Sequence, residues 1–134
     1  MKKLKIKNIV LVLIFSVFTF AGVILDSFTL SSRDDQVVLE WRTQDEVNID
    51  RFEVLRKNQS TDFIKIAEVK ATGSYSSYKY TDKNVYKTTT NNYTYKLRFI
   101  DVSGNTDGYS SEKSIMPNIS SVKRTWGSIK ALFR

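Results

Sequence analysis

The sequence predicts an all-β fold in which two antiparallel sheets form a sandwich. Between residues 28 and 115, apolar residues recur at every second position in short runs, which is the period of a half-buried strand. Polar stretches rich in Asn, Asp, Gly and Thr separate these runs, and such residues favour turns. Seven runs spaced by about 8–12 residues are typical of a β-sandwich.

Residues 1–21 are predicted to be a secretory signal peptide. "MKKLKIKN" is basic, "IVLVLIFSVFTF" carries no charge, and Thr19 and Ala21 are small residues of the kind that a signal peptidase prefers. The alternative is a retained anchor, because the apolar run continues to Leu25 and reaches the lower limit for spanning about 30 Å of hydrocarbon. Either way, the lysine-rich flank predicts that the rest of the chain is secreted or lies at the cell surface, outside the cytoplasm.

The sandwich domain is predicted to occupy residues 22–117. Its first strand, over about residues 23–31, is poorly defined, whereas "QVVLEWR", "RFEVLRK", "FIKIAEV" and "YTYKLRFID" alternate clearly. In this pattern Ile64 faces inward and Glu53 outward. Pro117 ends the last strand, since proline has no N–H to donate to a sheet. The predicted core residues are Leu39, Trp41, Phe52, Val54, Ile66, Tyr93, Tyr95, Leu97 and Phe99.

Residues 118–134 have a helical period and predict a short, basic, amphipathic helix. Their apolar residues fall within an arc of about 120° at about 100° per residue, although Gly127 weakens the helix. A free helix of this length is marginal in water, so we expect it to form against an attachment or sorting machine, an anionic membrane surface or the sandwich itself. The tail residues in question are Lys123, Arg124, Trp126, Ile129, Lys130, Leu132, Phe133 and Arg134.

Four stretches carry a resemblance to a known family: "VVLEWRTQDEVNIDRFEVLRK", "FIKIAEVKATGS", "YKYTDKNV" and "NYTYKLRFIDVSGNTDGYSSEKSI". Together they resemble a fibronectin type III domain, in the divergent version common in bacterial cell-surface proteins. The resemblance covers about residues 23–115 and implies an immunoglobulin-like sandwich with Trp41 as its central indole. It also implies that Tyr93 is the tyrosine of the corner, with its hydroxyl bonded to main chain near Val85. The proline-rich opening usual in the family is absent here.

Composition excludes several kinds of site. The chain has no His and no Cys, which rules out disulfides, thiolate chemistry, histidine triads and an acylated N-terminal cysteine. The net charge of +7 belongs to the two ends, since the middle of the chain holds 13 basic and 14 acidic residues once the eight basic residues of 2–7 and 123–134 are set aside. We therefore expect no nucleic-acid groove.

One loop has the spacing of a calcium site. Five oxygen-bearing residues of "DVSGNTDGYSSE" fall at positions 1, 3, 5, 7 and 12 of a calcium-loop numbering. Thr106 stands where an EF-hand needs glycine, and strands flank the loop, so a hairpin turn is the alternative interpretation. The weak calcium candidates are Asp101, Ser103, Asn105, Asp107 and Glu112.

A Tyr/Lys-rich stretch, "SYSSYKYTDKNVYK", is a candidate binding patch. Tyrosine is favoured at protein interfaces, and aromatic rings on an open sheet stack on sugars. The alternative is packing in the core or at its rim, because two of the tyrosines share a face of one strand. The candidate patch comprises Tyr75, Tyr78, Lys79, Tyr80 and Tyr86.

No catalytic residue, cofactor or resident metal is predicted. The adjacent acids Asp34–Asp35 and Asp45–Glu46 are interpreted as solvated loop residues, since acid/base chemistry needs carboxylates that converge from separate elements. We expect a non-enzymatic exported surface module for adhesion, spacing or protein contact, attached or sorted through its tail. Its expected partners are other surface or extracellular proteins, or a membrane surface. The alternative is a soluble protein that binds extracellular glycans or peptides through the Tyr/Lys patch.

Overall fold

The computed structural model describes residues 22–85 and 92–117. All of the regular secondary structure within these ranges is β-strand. The all-β prediction is therefore confirmed. None of the described residues belongs to a helix that is long and apolar enough to cross a membrane. The predicted signal peptide and the predicted tail helix lie outside the described residues. The strands are β1 (Gly22–Arg33), β2 (Gln36–Val47), β3 (Ile49–Lys57), β4 (Ile64–Lys70), β5 (Ser77–Asp82), β6 (Tyr93–Asp101), β7 (Thr106–Tyr109) and β8 (Lys113–Ile115).

The strands form two antiparallel sheets in a sandwich-like arrangement. One sheet has the order β1-β2-β5, and the other has the order β4-β3-β6-β7, with β8 also paired to β6. A strand has two edges, and β3 occupies one edge of β6. Consequently β7 and β8 share the other edge, β7 at the end of β6 near Ile100 and β8 at the end near Tyr93.

The first strand is longer than the sequence pattern indicates. It pairs with β2 from Gly22 opposite Val47 to Arg33 opposite Gln36. The two-residue turn that follows has positive φ at both positions, 48° and 62°, which suits the twist of a hairpin. Val23 and Leu25 pack against the core. Residues that the sequence also allows in a membrane anchor are thus part of the sandwich.

The core is built around Trp41. Its ring stacks on Tyr78 with centroids 5.3 Å apart, and Phe52 meets it edge-on at 5.7 Å from the opposite sheet. Aromatic pairs in these two geometries are favourable beyond the area that they bury. Eight of the nine predicted core residues are buried, and Ile66 is partly buried against them.

Ile64, which the alternation of "FIKIAEV" places on the inward face, is exposed. The register along β3 and β4 pairs Val54 with Ala67 but Leu55 with Lys65, so Ile66 is an extra residue in a β-bulge. Beyond the bulge, Lys65 shares the outer face with Glu53 and Glu68, so Ile64 lies on the inner face opposite Arg56. Ile64 is exposed because it is the first residue of β4, the edge strand of its sheet.

Strand directions divide the loops between two ends of the sandwich. Because β1 begins opposite the end of β2, and β3 begins opposite the end of β6, one end gathers Gly22, Asn48 and the loops 71–76 and 102–105; we call it the N-terminal pole. Ile115 pairs with Tyr93 at the far end of β6, so the chain leaves the sandwich at the opposite end, the C-terminal pole. The nine residues of β6 make eight steps of about 3.4 Å, so the poles are about 27 Å apart.

We predict that Trp41→Ala lowers the free energy of unfolding by about 3–5 kcal/mol, because it removes the largest buried side chain. The indole Nε1 is buried and has no hydrogen-bond partner in the described part of the chain. Trp41→Phe therefore loses packing but no hydrogen bond, and about 1–2 kcal/mol is expected. Urea denaturation of both variants measures this. A loss well below 1 kcal/mol for Trp41→Ala would show that the indole is not central.

Candidate functional site

The N-terminal pole is a group of loops joined by main-chain hydrogen bonds. The N–H of Val102, in the β6–β7 loop, donates to the carbonyl of Asn48 between β2 and β3, at 3.0 Å. The N–H of Ala71, at the start of the β4–β5 loop, donates to the carbonyl of Asp50 at 3.0 Å. Loops from both sheets are thus fixed to one another at this pole.

Glu46 holds the β4–β5 loop in place. Its Oε1 accepts from the Tyr78 hydroxyl at 2.5 Å and from the Thr43 hydroxyl at 2.7 Å, and its Oε2 accepts from the Gly73 N–H at 2.9 Å. Its own N–H donates to the Ser74 hydroxyl at 2.9 Å. The interpretation of Glu46 as a solvated loop acid is therefore wrong, since internal donors occupy both of its oxygens.

The loop held by Glu46 presents Tyr75 to solvent. Tyr75 has a φ of +60°, a left-handed conformation that costs a bulky residue about 1–3 kcal/mol, and its side chain is 80% exposed. Gly73, two residues earlier, has a φ of +107°, which glycine adopts without strain. Residues held at such a cost cluster at binding and catalytic sites.

Other exposed apolar residues accompany Tyr75 at this pole. Val102 is 68% exposed in the β6–β7 loop. Val47, at the end of β2, and Ile24, on β1 opposite Asp45 of β2, are also exposed. Exposed apolar residues grouped together mark interaction sites more often than scattered ones do. The segments of the pole, 22–24, 43–50, 71–76 and 101–107, contain no Lys or Arg and five acids, namely Asp45, Glu46, Asp50, Asp101 and Asp107.

The calcium candidates do not converge on a common point. Oδ1 of Asp101 accepts from the N–H groups of Ser103 and Asn105, each at 2.9 Å, which shapes the hairpin turn. Asp107 lies beside Gly22, and Glu112 lies 3.9 Å from Lys57 Nζ. The described residues contain no group of three or more acids that could hold a metal ion. This geometry fits the hairpin interpretation.

The members of the candidate Tyr/Lys patch lie on different surfaces. Tyr78 is buried against Trp41, and Tyr80 packs partly buried on the same core. Lys79 faces the other side of β5, where its Nζ lies 3.9 Å from Glu40 Oε1. Tyr75 belongs to the pole, and Tyr86 lies outside the described residues, so the four described members do not form one patch.

Tyr93 is buried in the same core cluster as Val85, with the Arg56 guanidinium 5.5 Å from its ring centroid. The corner hydrogen bond of its hydroxyl stays a prediction. The eight tail residues from Lys123 to Arg134 lie outside the described residues, so the amphipathic helix also stays a prediction.

A buried polar cluster lies at the other end of the core, and the sequence reasoning missed it. Asp82 is 1% exposed, and its Oδ2 accepts from Arg56 Nη1 at 2.6 Å and from the Tyr95 hydroxyl at 2.8 Å. Burial lowers the pKa of Arg56, but the hydrogen bond and the charge of Asp82 outweigh burial and raise it. Burial, the charge of Asp82 and the hydrogen bond to it all raise the pKa of Tyr95.

Glu53 lies on the outer face of the β4-β3-β6-β7 sheet, yet it is only 4% exposed. Arg98 covers it from the adjacent strand and donates from Nε to Oε2 at 2.6 Å, and Lys65 and Arg51 approach Oε1 at 3.7 and 3.6 Å. The hydrogen bond to Glu53 is the largest of the effects that raise the pKa of Arg98. Glu53 thus stabilises the sheet and is closed to an external ligand.

No protein-family model, curated protein or solved structure matches this chain. The N-terminal pole is the candidate site on its own geometry, because it combines a strained and exposed tyrosine, neighbouring apolar residues and an excess of acids.

We predict that Tyr75→Gly stabilises the domain by about 0.5–1 kcal/mol, since glycine relieves the left-handed strain but gains entropy in the unfolded chain. Tyr75→Ala is the matched control. It removes the same ring and keeps the strain, so its stability should match that of the parent within about 0.5 kcal/mol. Thermal and urea unfolding compare them. If Tyr75→Gly destabilises the domain, the ring has a packing role.

We predict that stability falls above pH 10. Unfolded tyrosine releases its proton near pH 10, whereas folded Tyr95 retains it to higher pH. Below pH 10 both states are protonated and the contribution of Tyr95 is constant; above it the unfolded state binds fewer protons, and the free energy of unfolding declines. Urea unfolding from about pH 8 to 11 should show a shallower decline in Tyr95→Phe. An equal change in the control Tyr109→Phe would contradict this assignment.

Proposed function

We propose that this chain is an exported, non-enzymatic module whose sandwich holds two binding ends apart outside the cytoplasm. The observation that carries the proposal is the exit of the chain at opposite poles. Gly22 begins β1 at one pole, and Ile115 and Pro117 lead out at the other, about 27 Å away. A module with its ends so arranged suits spacing and contact between two partners.

The sheet order supports a fibronectin type III-like identity for the sandwich. One sheet has three strands, and the other has three strands plus one edge shared by β7 and β8. Counting that shared edge once gives seven strand positions, three in one sheet and four in the other, as in immunoglobulin-like sandwiches. The central position of Trp41 between the sheets agrees with the role that the resemblance implies.

The use of Val23 and Leu25 in the core supports cleavage of the signal peptide over a retained anchor. With these residues packed in β1, the uncharged apolar run that remains is residues 9–21, or 13 residues. A membrane-spanning helix needs about 20 such residues, whereas the apolar part of a signal peptide needs about 7–15. Cleavage after Ala21 would make Gly22, the first residue of β1, the mature N-terminus.

The structural use of the polar side chains supports a non-enzymatic role. Glu46, Glu53 and Asp82 each accept hydrogen bonds or ion pairs from internal donors. General acid/base chemistry requires groups that face a substrate with separated pKa values. These carboxylates face loop, sheet and core partners instead. The exposed residues of the N-terminal pole are suited to contact with another macromolecule.

We predict that mass spectrometry of the protein from fractionated cells finds a chain beginning at Gly22 outside the cytoplasm. Deleting residues 121–134 should release envelope-associated protein into the soluble fraction. Trp126→Ala should impair retention with an unchanged melting temperature, and Trp41→Ala is the matched control that lowers it. Recovery of the intact chain in the cytoplasm would contradict the proposal.

A further inference from the structure

We propose that residues 121–134 of one copy dock onto the N-terminal pole of a second copy, so that the protein associates head to tail. The inference deepens the proposed function and rests on the removal of residues 1–21, because those residues precede Gly22 at the same pole. It names the partner of the tail as another copy of this chain.

The two surfaces have opposite charges. The pole segments carry five acids and no Lys or Arg, whereas residues 121–134 carry four basic residues and no acid. Of the pole acids, Asp107 is exposed and Asp45 is half-buried at the surface, and both lie close to Gly22. Arg51 forms an ion pair with Asp50 at 2.8 Å, and after cleavage the new N-terminal ammonium would offset one more charge, which leaves three of the five acidic charges without compensation. Attraction between such surfaces speeds encounter and fixes orientation.

The two surfaces also match in apolar residues. Tyr75 and Val102 are exposed on two loops of the pole. Hydrogen bonds to Glu46 and Asn48 hold these loops in place. The tail predicts one apolar face that includes Trp126, Ile129 and Phe133. A tail that is marginal as a free helix would become helical when it binds to the N-terminal pole.

Chain length favours a second copy over the same copy. Residues 118–120 span at most about 10 Å, and the poles are about 27 Å apart. A helix of residues 121–134 would be about 21 Å long. On its own copy only its last turn would reach the acidic pole, whereas the neighbour's pole can receive the whole apolar face. Because the two surfaces differ, the contact leaves a free pole and a free tail, and copies add in a row.

Reversing the charges of the tail and of the pole, separately and then in a mixture, tests this contact. Sedimentation velocity of the processed protein at low salt should show association that grows with concentration, passes beyond dimers and weakens as salt is added. Reversing the tail with Lys123→Glu and Lys130→Glu, or reversing the pole with Asp45→Lys and Asp107→Lys, should each weaken association by about tenfold or more. An equimolar mixture of the two variants should associate again, because each supplies the surface that the other needs.

The controls separate the contact from folding and from other partners. Asp62→Lys with Met116→Ser changes exposed residues at the C-terminal pole and should leave association unchanged. Each variant should melt at the parent temperature; if a reversed pole does not fold, Tyr75→Ser weakens the same contact without a charge change. Unchanged association in both reversed variants overturns the proposal, as does a mixture that stays monomeric.

Two further outcomes identify the source of a failure. Processed protein that is monomeric yet binds anionic phospholipid vesicles through its tail would overturn self-docking and assign the tail to a membrane. Protein that retains residues 1–21 and does not associate would contradict the proposed export instead. Mass spectrometry of the same sample distinguishes these outcomes.

Discussion

The Tyr78 side chain connects the core of this protein to its exposed pole. Its ring stacks on Trp41 between the sheets, and its hydroxyl donates to Glu46 at 2.5 Å. The same carboxylate accepts from Gly73, and the Glu46 N–H donates to Ser74, so the packing of the core fixes the loop that exposes Tyr75. A strained and exposed tyrosine persists only where its surroundings determine its conformation.

The sandwich uses its acids in two different ways. Asp82 is buried under a cation from the opposite sheet, and Glu53 under one from the adjacent strand. An unpaired carboxylate would be costly at either place, so these partners give the two acids structural roles. Asp45 and Asp107 remain at the surface of the N-terminal pole, with no basic residue in the segments around them. The resulting acidic end lies at the opposite pole from Ile115, where the chain leaves the sandwich. This arrangement supports the proposal that the two ends bind different partners.

The departures from the sequence predictions have specific causes. Ile64 lies on the inner face, as the alternating pattern indicates, but it is exposed because it begins the edge strand β4. Glu46 belongs to a polar turn sequence, yet it is an internal acceptor, because all of its partners except Thr43 are residues 27 to 32 positions away. The candidate patch is divided because Tyr78 and Tyr80 face the core, whereas Lys79 between them faces the other side of β5. Tyr75 lies in the loop before β5.

The sequence by itself determined the all-β class, the strands over most of their length and the core around Trp41, because these follow from local alternation and turn composition. Only the tertiary structure decided which strands pair, that Glu53 lies opposite Arg98, and that Asp82 meets Arg56 and Tyr95. It also decided that loops 71–76 and 102–105 lie at the same pole. The physical reason is that register and loop proximity depend on pairings between residues distant in the chain, and period-two alternation contains no information about them.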